Sequence, residues 1–110
     1  MADRKIDLLR GTLSMLILKI VKLEPMHGFG IMQRIGQITR GAFQVTPGSL
    51  FPTLHRLEQE GWIEGEWGTS ENGRRARYYR ITAEGRRQLK VEKQEWGRAV
   101  TAVTRILEAG

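Results

Sequence analysis

The end of the chain, from Thr82-Ala83-Glu84 to Glu108, reads as one helix of about 25 residues whose apolar seam nothing else in the sequence is left to cover. Leu89, Trp96, Val100, Val103 and Leu107 follow at spacings of seven, four, three and four, a heptad-like series with a polar gap at Glu92-Lys93. Such a seam asks for a second helix. A chain of 110 residues is one domain's worth and too short to hold a separate core that would provide it. The fold must therefore leave this helix for another copy or another partner.

Upstream, residues 6–23 have the period of a helix: Ile6, Leu9, Leu13, Leu16, Ile17 and Ile20 recur three and four apart. Leu8, Met15, Leu18 and Val21 add apolar surface off that face, so burial on more than one side is expected. Glu24-Pro25 ends the helix, because the residue before proline disfavours helical backbone. A shorter helix over roughly 28–38 follows His27, with Phe29, Ile31, Met32, Ile35 and Ile38 apolar and Gln33 and Arg34 polar. Thr46-Pro47 signals a third start, a capping hydroxyl followed by a residue with no N–H to satisfy. That helix runs to about Glu60, stops at Gly61, and buries Leu50, Leu54 and Leu57. Gly48, Pro52, His55 and Gln59 fall opposite, with Ser49, Phe51 and Arg56 at the margins; Pro52 removes a hydrogen bond near the second turn. Residues 62–67 and 75–82 are rich in aromatic and β-branched types, and between them lies Asn72-Gly73, a strong hairpin turn. The fold class is mainly α with a small β-hairpin.

Charge is unevenly placed. The formal charge is +6, and residues 71–90 set Arg74, Arg75, Arg77, Arg80, Arg86, Arg87 and Lys90 against Glu71 and Glu84, which makes +5 of it. A local cationic segment points to a polyanion, nucleic acid before anionic membrane, against the plain alternative of a solvated surface. The absence of cysteine excludes disulfides, thiolate zinc sites and cysteine nucleophiles, and fits a reducing interior. The longest apolar run, Leu13 to Leu18, is broken by Ser14 and followed by Lys19, far short of a membrane span, and no signal-peptide cleavage pattern follows Arg4 and Lys5. No HExxH, P-loop or paired-carboxylate arrangement occurs, Gly28-Phe29-Gly30 lacks a third glycine, and His27 and His55 have no ligand partners at metal spacing. The expectation is a protein that is no enzyme, takes no cofactor or metal, and works in the cytoplasm on the nucleoid.

Two helices on a short connection, the second amphipathic, make a helix-turn-helix, and the arginine-bearing hairpin after them makes it winged. Residues 1–82 are then a winged-helix DNA-binding part and 83–110 a dimerisation helix, in one continuous unit. A helix anchored by a narrow leucine stripe, with small and short polar residues opposite, fits a major groove about 12 Å wide. The arginines beside it can neutralise phosphates or reach a minor groove.

The runs HGFGIMQRI, TPGSLFPTLHRLEQEGWIEGEW and NGRRARYYRITAEGRRQL resemble the PadR family of bacterial transcriptional regulators, over nearly the whole chain from the first helix to Leu89. The likeness is to the short members with a single C-terminal helix. It implies a homodimeric winged-helix repressor on double-stranded DNA, with the last helix supplying most of the dimer contact. DNA contacts are then expected at Ser49, Phe51, Pro52 and His55, with Thr46 and Arg56 beside them, and at Arg74, Arg75 and Arg77. Dimer contacts are expected at Leu9 and Leu13 and along Leu89, Trp96, Val100, Val103 and Leu107. Two positions depart from the family pattern: Phe51 stands where tyrosine is common, and Phe29-Gly30 replaces a commoner tyrosine–glutamate pair.

Trp96 has two readings, a packing residue of the dimer seam or a platform for a flat aromatic or hydrophobic effector between subunits. Trp62 and Trp67 read as packing at the wing base. Two other functions stand beside DNA reading: a winged-helix protein-interaction module whose arginines only solubilise it, and an RNA binder preferring structured single strands.

Overall fold

The computed structural model describes residues 9–110, with side chains from residue 12 onward. Helix α1 spans Leu9–Leu23, a short strand β1 Met26–His27, helix α2 Gly28–Ile38 and helix α3 Pro47–Gln59. Strands β2 (Ile63–Thr69) and β3 (Arg75–Ile81) form the hairpin, and helix α4 runs over Ala83–Glu108. The expected start of the first helix at Ile6, and the side chain of Leu9, lie outside the described residues.

Side-chain caps set the starts of three helices. His27 Nδ1 accepts the Gly30 N–H at 3.0 Å, Thr46 Oγ1 that of Ser49 at 3.3 Å, and Thr82 Oγ1 that of Gly85 at 3.0 Å. The hairpin tip closes through Gly73 N–H to the Ser70 carbonyl at 2.9 Å, with Gly73 at φ +74°, a conformation glycine takes without strain.

The sheet has three strands in the order β1-β3-β2, where the sequence promised only a hairpin. Met26 pairs with Tyr79 and His27 with Tyr78. Two residues, one following a proline and the other itself the cap of α2, carry no alternation, so nothing in the pattern announces the strand.

The core gathers Ile17 and Leu18 of α1, Ile31 and Ile35 of α2, Leu50, Leu54 and Leu57 of α3, Ile63, Tyr79 and Leu89. Helix α1 touches α2, α3, α4 and β3, which explains its broad apolar circumference. Burial of each such aliphatic side chain contributes about 1.5–3 kcal/mol. Leu13 and Leu89, expected as dimer contacts, are corrected here: they are 5% and 2% exposed and belong to this core. The helical period identifies an apolar face but not which neighbour covers it.

Beyond Leu89, α4 leaves the body of the protomer, and every residue from Lys93 onward is exposed. Trp96, Val100, Val103 and Leu107 are 40%, 44%, 56% and 79% exposed.

Candidate nucleic-acid interface

Leu50, Leu54 and Leu57 are fully buried and hold α3 against the core, which turns Gly48, Ser49, Pro52, His55 and Gln59 to solvent. Thr46 and Ser49 sit together at the start, with their hydroxyls 3.3 Å apart and the Ser49 N–H on Thr46. Two of the expected contacts therefore also build the cap. Arg56 lies to one side and donates to Ser14 Oγ on α1. Phe51 lies to the other, where its ring packs over Gly28 so closely that a Cβ there would come within 2.6 Å of it. Its edge meets the Phe29 ring at 5.6 Å between centroids.

The wing stands beside that second flank. Trp67 and Arg77 are cross-strand partners, and the Arg75 and Arg77 guanidinium carbons lie 4.6 and 5.7 Å from the Trp67 ring centre. Arg77 also pairs with Glu58 of α3, tying the wing to the helix it flanks. The hydrogen bond to Glu58 holds the Arg77 guanidinium above its ordinary value, while burial pushes the neighbouring Tyr79 phenol up, with the Glu58 carboxylate adding to that. Trp67, expected in the base of the wing, is 54% exposed and lies under two arginines instead; Trp62 packs half-buried against the core.

The cationic segment divides once its partners are seen. Arg77 is paired with Glu58, Arg80 with Glu66 and Arg87 with Glu84. Arg74 and Arg75 at the wing tip have no carboxylate within ion-pair distance among the described residues. Arg86 and Lys90 of α4 also pair with no carboxylate among the described residues, so the charge open to a partner lies at the wing tip and on α4. We expect Arg77→Ala to speed amide exchange in β2 and β3 while leaving the salt dependence of DNA affinity at the wild-type slope. A slope reduced by about one would instead make Arg77 a phosphate contact.

Sequence reasoning passed over two groups beside these residues. Phe29, 64% exposed, and Arg34 of α2 face the wing across a groove of about 1120 Å³ lined also by Phe51, Trp67, Arg74 and Arg75. The polar residues Gln33, Arg34 and Gln37 on one side of a mostly apolar helix were the available signal. Among the described residues no group of His, Asp or Glu could hold a metal ion, and no helix is long and apolar enough to cross a membrane.

Known proteins share this arrangement. The transcriptional regulator PadR-like family profile matches residues 17–91, from the buried half of α1 through the wing into α4. An uncharacterized protein of Lysinibacillus sphaericus is 30% identical over 102 residues, 93% of this chain and 94% of its own length. A transcriptional regulator of Mycobacterium tuberculosis is 38% identical over 68 residues, 62% of this chain and 60% of that protein. Among solved structures, a transcriptional regulator from Clostridium thermocellum superposes with a TM-score of 0.85 at 27% identity, over 94% of this chain and 100% of that one. A PadR family regulator from Eggerthella lenta does so with a TM-score of 0.82 at 30% identity, over 94% and 88%. A helix held by three leucines beside an arginine-tipped wing lies within the residues 17–91 that the family profile matches, and the chain belongs to the PadR-like family of transcriptional regulators.

Proposed function

We propose that the protein is a repressor that binds a pseudo-palindromic operator as a homodimer. The observation that carries this reading is α4 beyond Leu89: a helix that leaves the protomer with Trp96, Val100, Val103 and Leu107 uncovered. A second copy of the seam would cover them, and a two-fold dimer would present two α3 helices to one face of a duplex, about 34–36 Å apart. On each, Ser49, Pro52 and His55 would read bases, because α3 carries no exposed charge excess of its own: Arg56 is set against Glu58 and Glu60. The wing arginines would supply affinity common to all sequences.

Val100→Glu places a charge in the seam without harming helix propensity. Sedimentation should then show a monomer, and affinity for an inverted-repeat duplex should fall to that of a single half-site. A variant that stays dimeric, or that binds the full site as the wild type does, overturns the dimer reading.

Trp96, 40% exposed on this seam, supports an added regulatory reading, in which a flat aromatic or hydrophobic effector binds between subunits. Such an effector lowers DNA affinity only by binding one dimer geometry better than the other.

A further inference from the structure

From the groove between α2 and the wing, we propose that one phosphodiester strand of the DNA runs across it, with Phe29 packed against deoxyribose and Arg34 and Arg75 on the flanking phosphates. This inference rests on the DNA-binding reading above and extends it to residues outside α3 and the wing tip.

A duplex that takes α3 in its major groove and the wing in the adjacent minor groove must pass the intervening strand between α3 and the wing, and the groove meets that path at Phe51 of α3 and Trp67 of the wing and continues from there along α2. The residues on that path are aromatic and cationic. Phe29 and Trp67 are 64% and 54% exposed, and both line the groove with Phe51. Large aromatic surface left open on two facing elements calls for an apolar partner. The cations of the groove are Arg34, Arg74, Arg75 and Arg77, against Glu24 and Glu71. Arg77 is engaged by Glu58, whereas Arg34 pairs with no carboxylate among the described residues and meets the Gln37 amide oxygen at 3.4 Å. A nucleic-acid backbone alternates an anionic phosphate with an apolar sugar, which is the alternation this groove offers.

The brace within the wing gives the groove a fixed wall. Arg77 lies over Gly65, where a Cβ would sit 2.8 Å from the guanidinium carbon, and Glu58 holds it from α3. Trp67 stays under Arg75 as a result, so both face the strand together.

The test uses full-length protein, a duplex enriched from a random pool and a scrambled duplex of equal length, titrated over a series of salt concentrations. Phe29→Ala should weaken both duplexes about five- to tenfold with the wild-type salt slope, because an apolar contact releases no counterion. Arg34→Ala should weaken both and lower the slope by about one. Phe29→Leu, which keeps apolar surface, should retain most of the affinity, and thermal melts should show all three variants folded. Equal affinity of Phe29→Ala and wild type for both duplexes overturns the proposal, as does a loss confined to the selected duplex, which would make Phe29 a prop for base reading. Should wild-type protein bind neither duplex in a salt-dependent way, the DNA-binding reading itself fails, a result distinct from either of these.

Discussion

Replacing Gly85 by alanine is expected to cost about 3 kcal/mol or more, although alanine is the better helix former by about 1 kcal/mol. A Cβ at this position would stand 2.8 Å from Ile81 Cγ1 and 2.9 Å from the Trp62 carbonyl carbon, and closer still to the Trp62 oxygen. Two of these atoms are backbone and cannot swing aside. They are also engaged, since the Trp62 carbonyl accepts the Thr82 N–H at 3.0 Å while Thr82 Oγ1 donates to the Gly61 carbonyl at 2.6 Å. The junction where the chain passes from α3 to β2 thus fixes where α4 begins and how it leaves the protomer. Thermal denaturation should show the loss, and Gly36→Ala is its control. Gly36 sits inside α2, and a methyl group added there would meet nothing within 4 Å, so alanine should raise stability by up to about 1 kcal/mol. Equal melting of Gly85→Ala and wild type would mean that α4 is not seated on Trp62.

The second large effect belongs to the wing tip. Arg74→Ala combined with Arg75→Ala should lower affinity for every duplex on the order of a hundredfold at physiological salt and reduce the salt slope by about two. On the wing, these two have no carboxylate partner among the described residues, whereas Arg77 and Arg80 each have one; Arg86 and Lys90, also without one, belong to α4. Both side chains are exposed, so the double variant should melt like the wild type. The ratio of affinities for selected and scrambled duplexes should change little, because phosphate contacts carry position and not sequence. Unchanged affinity would instead favour the protein-interaction reading, in which the arginines only keep the chain in solution.

Much of this was legible in the sequence, for reasons specific to the residues. The leucine stripe of α3, the Thr46-Pro47 start and the Asn72-Gly73 turn are local signals, and α2, α3 and the hairpin lie where those signals put them. What was not legible depends on partners distant in the chain. Leu13 and Leu89 show the same period as the uncovered residues of the seam, and only packing reveals that the protomer itself covers them. Arg77 reads like its neighbours in the cationic run, yet Glu58, 19 residues earlier, has claimed it. Trp67 reads as packing, but strand alternation sets it opposite Arg77 on an open face. The +5 of residues 71–90 therefore overstates what a polyanion would meet there, because Glu58 and Glu66, outside that stretch, pair with Arg77 and Arg80.

The central claim is that two copies of this chain read one duplex through paired α3 helices. Selection of bound duplexes from a random pool by the wild-type protein tests it most directly. An inverted repeat whose half-site centres lie about 10 base pairs apart should be enriched. An enriched motif without two-fold symmetry, or a pool that never departs from random, would contradict it.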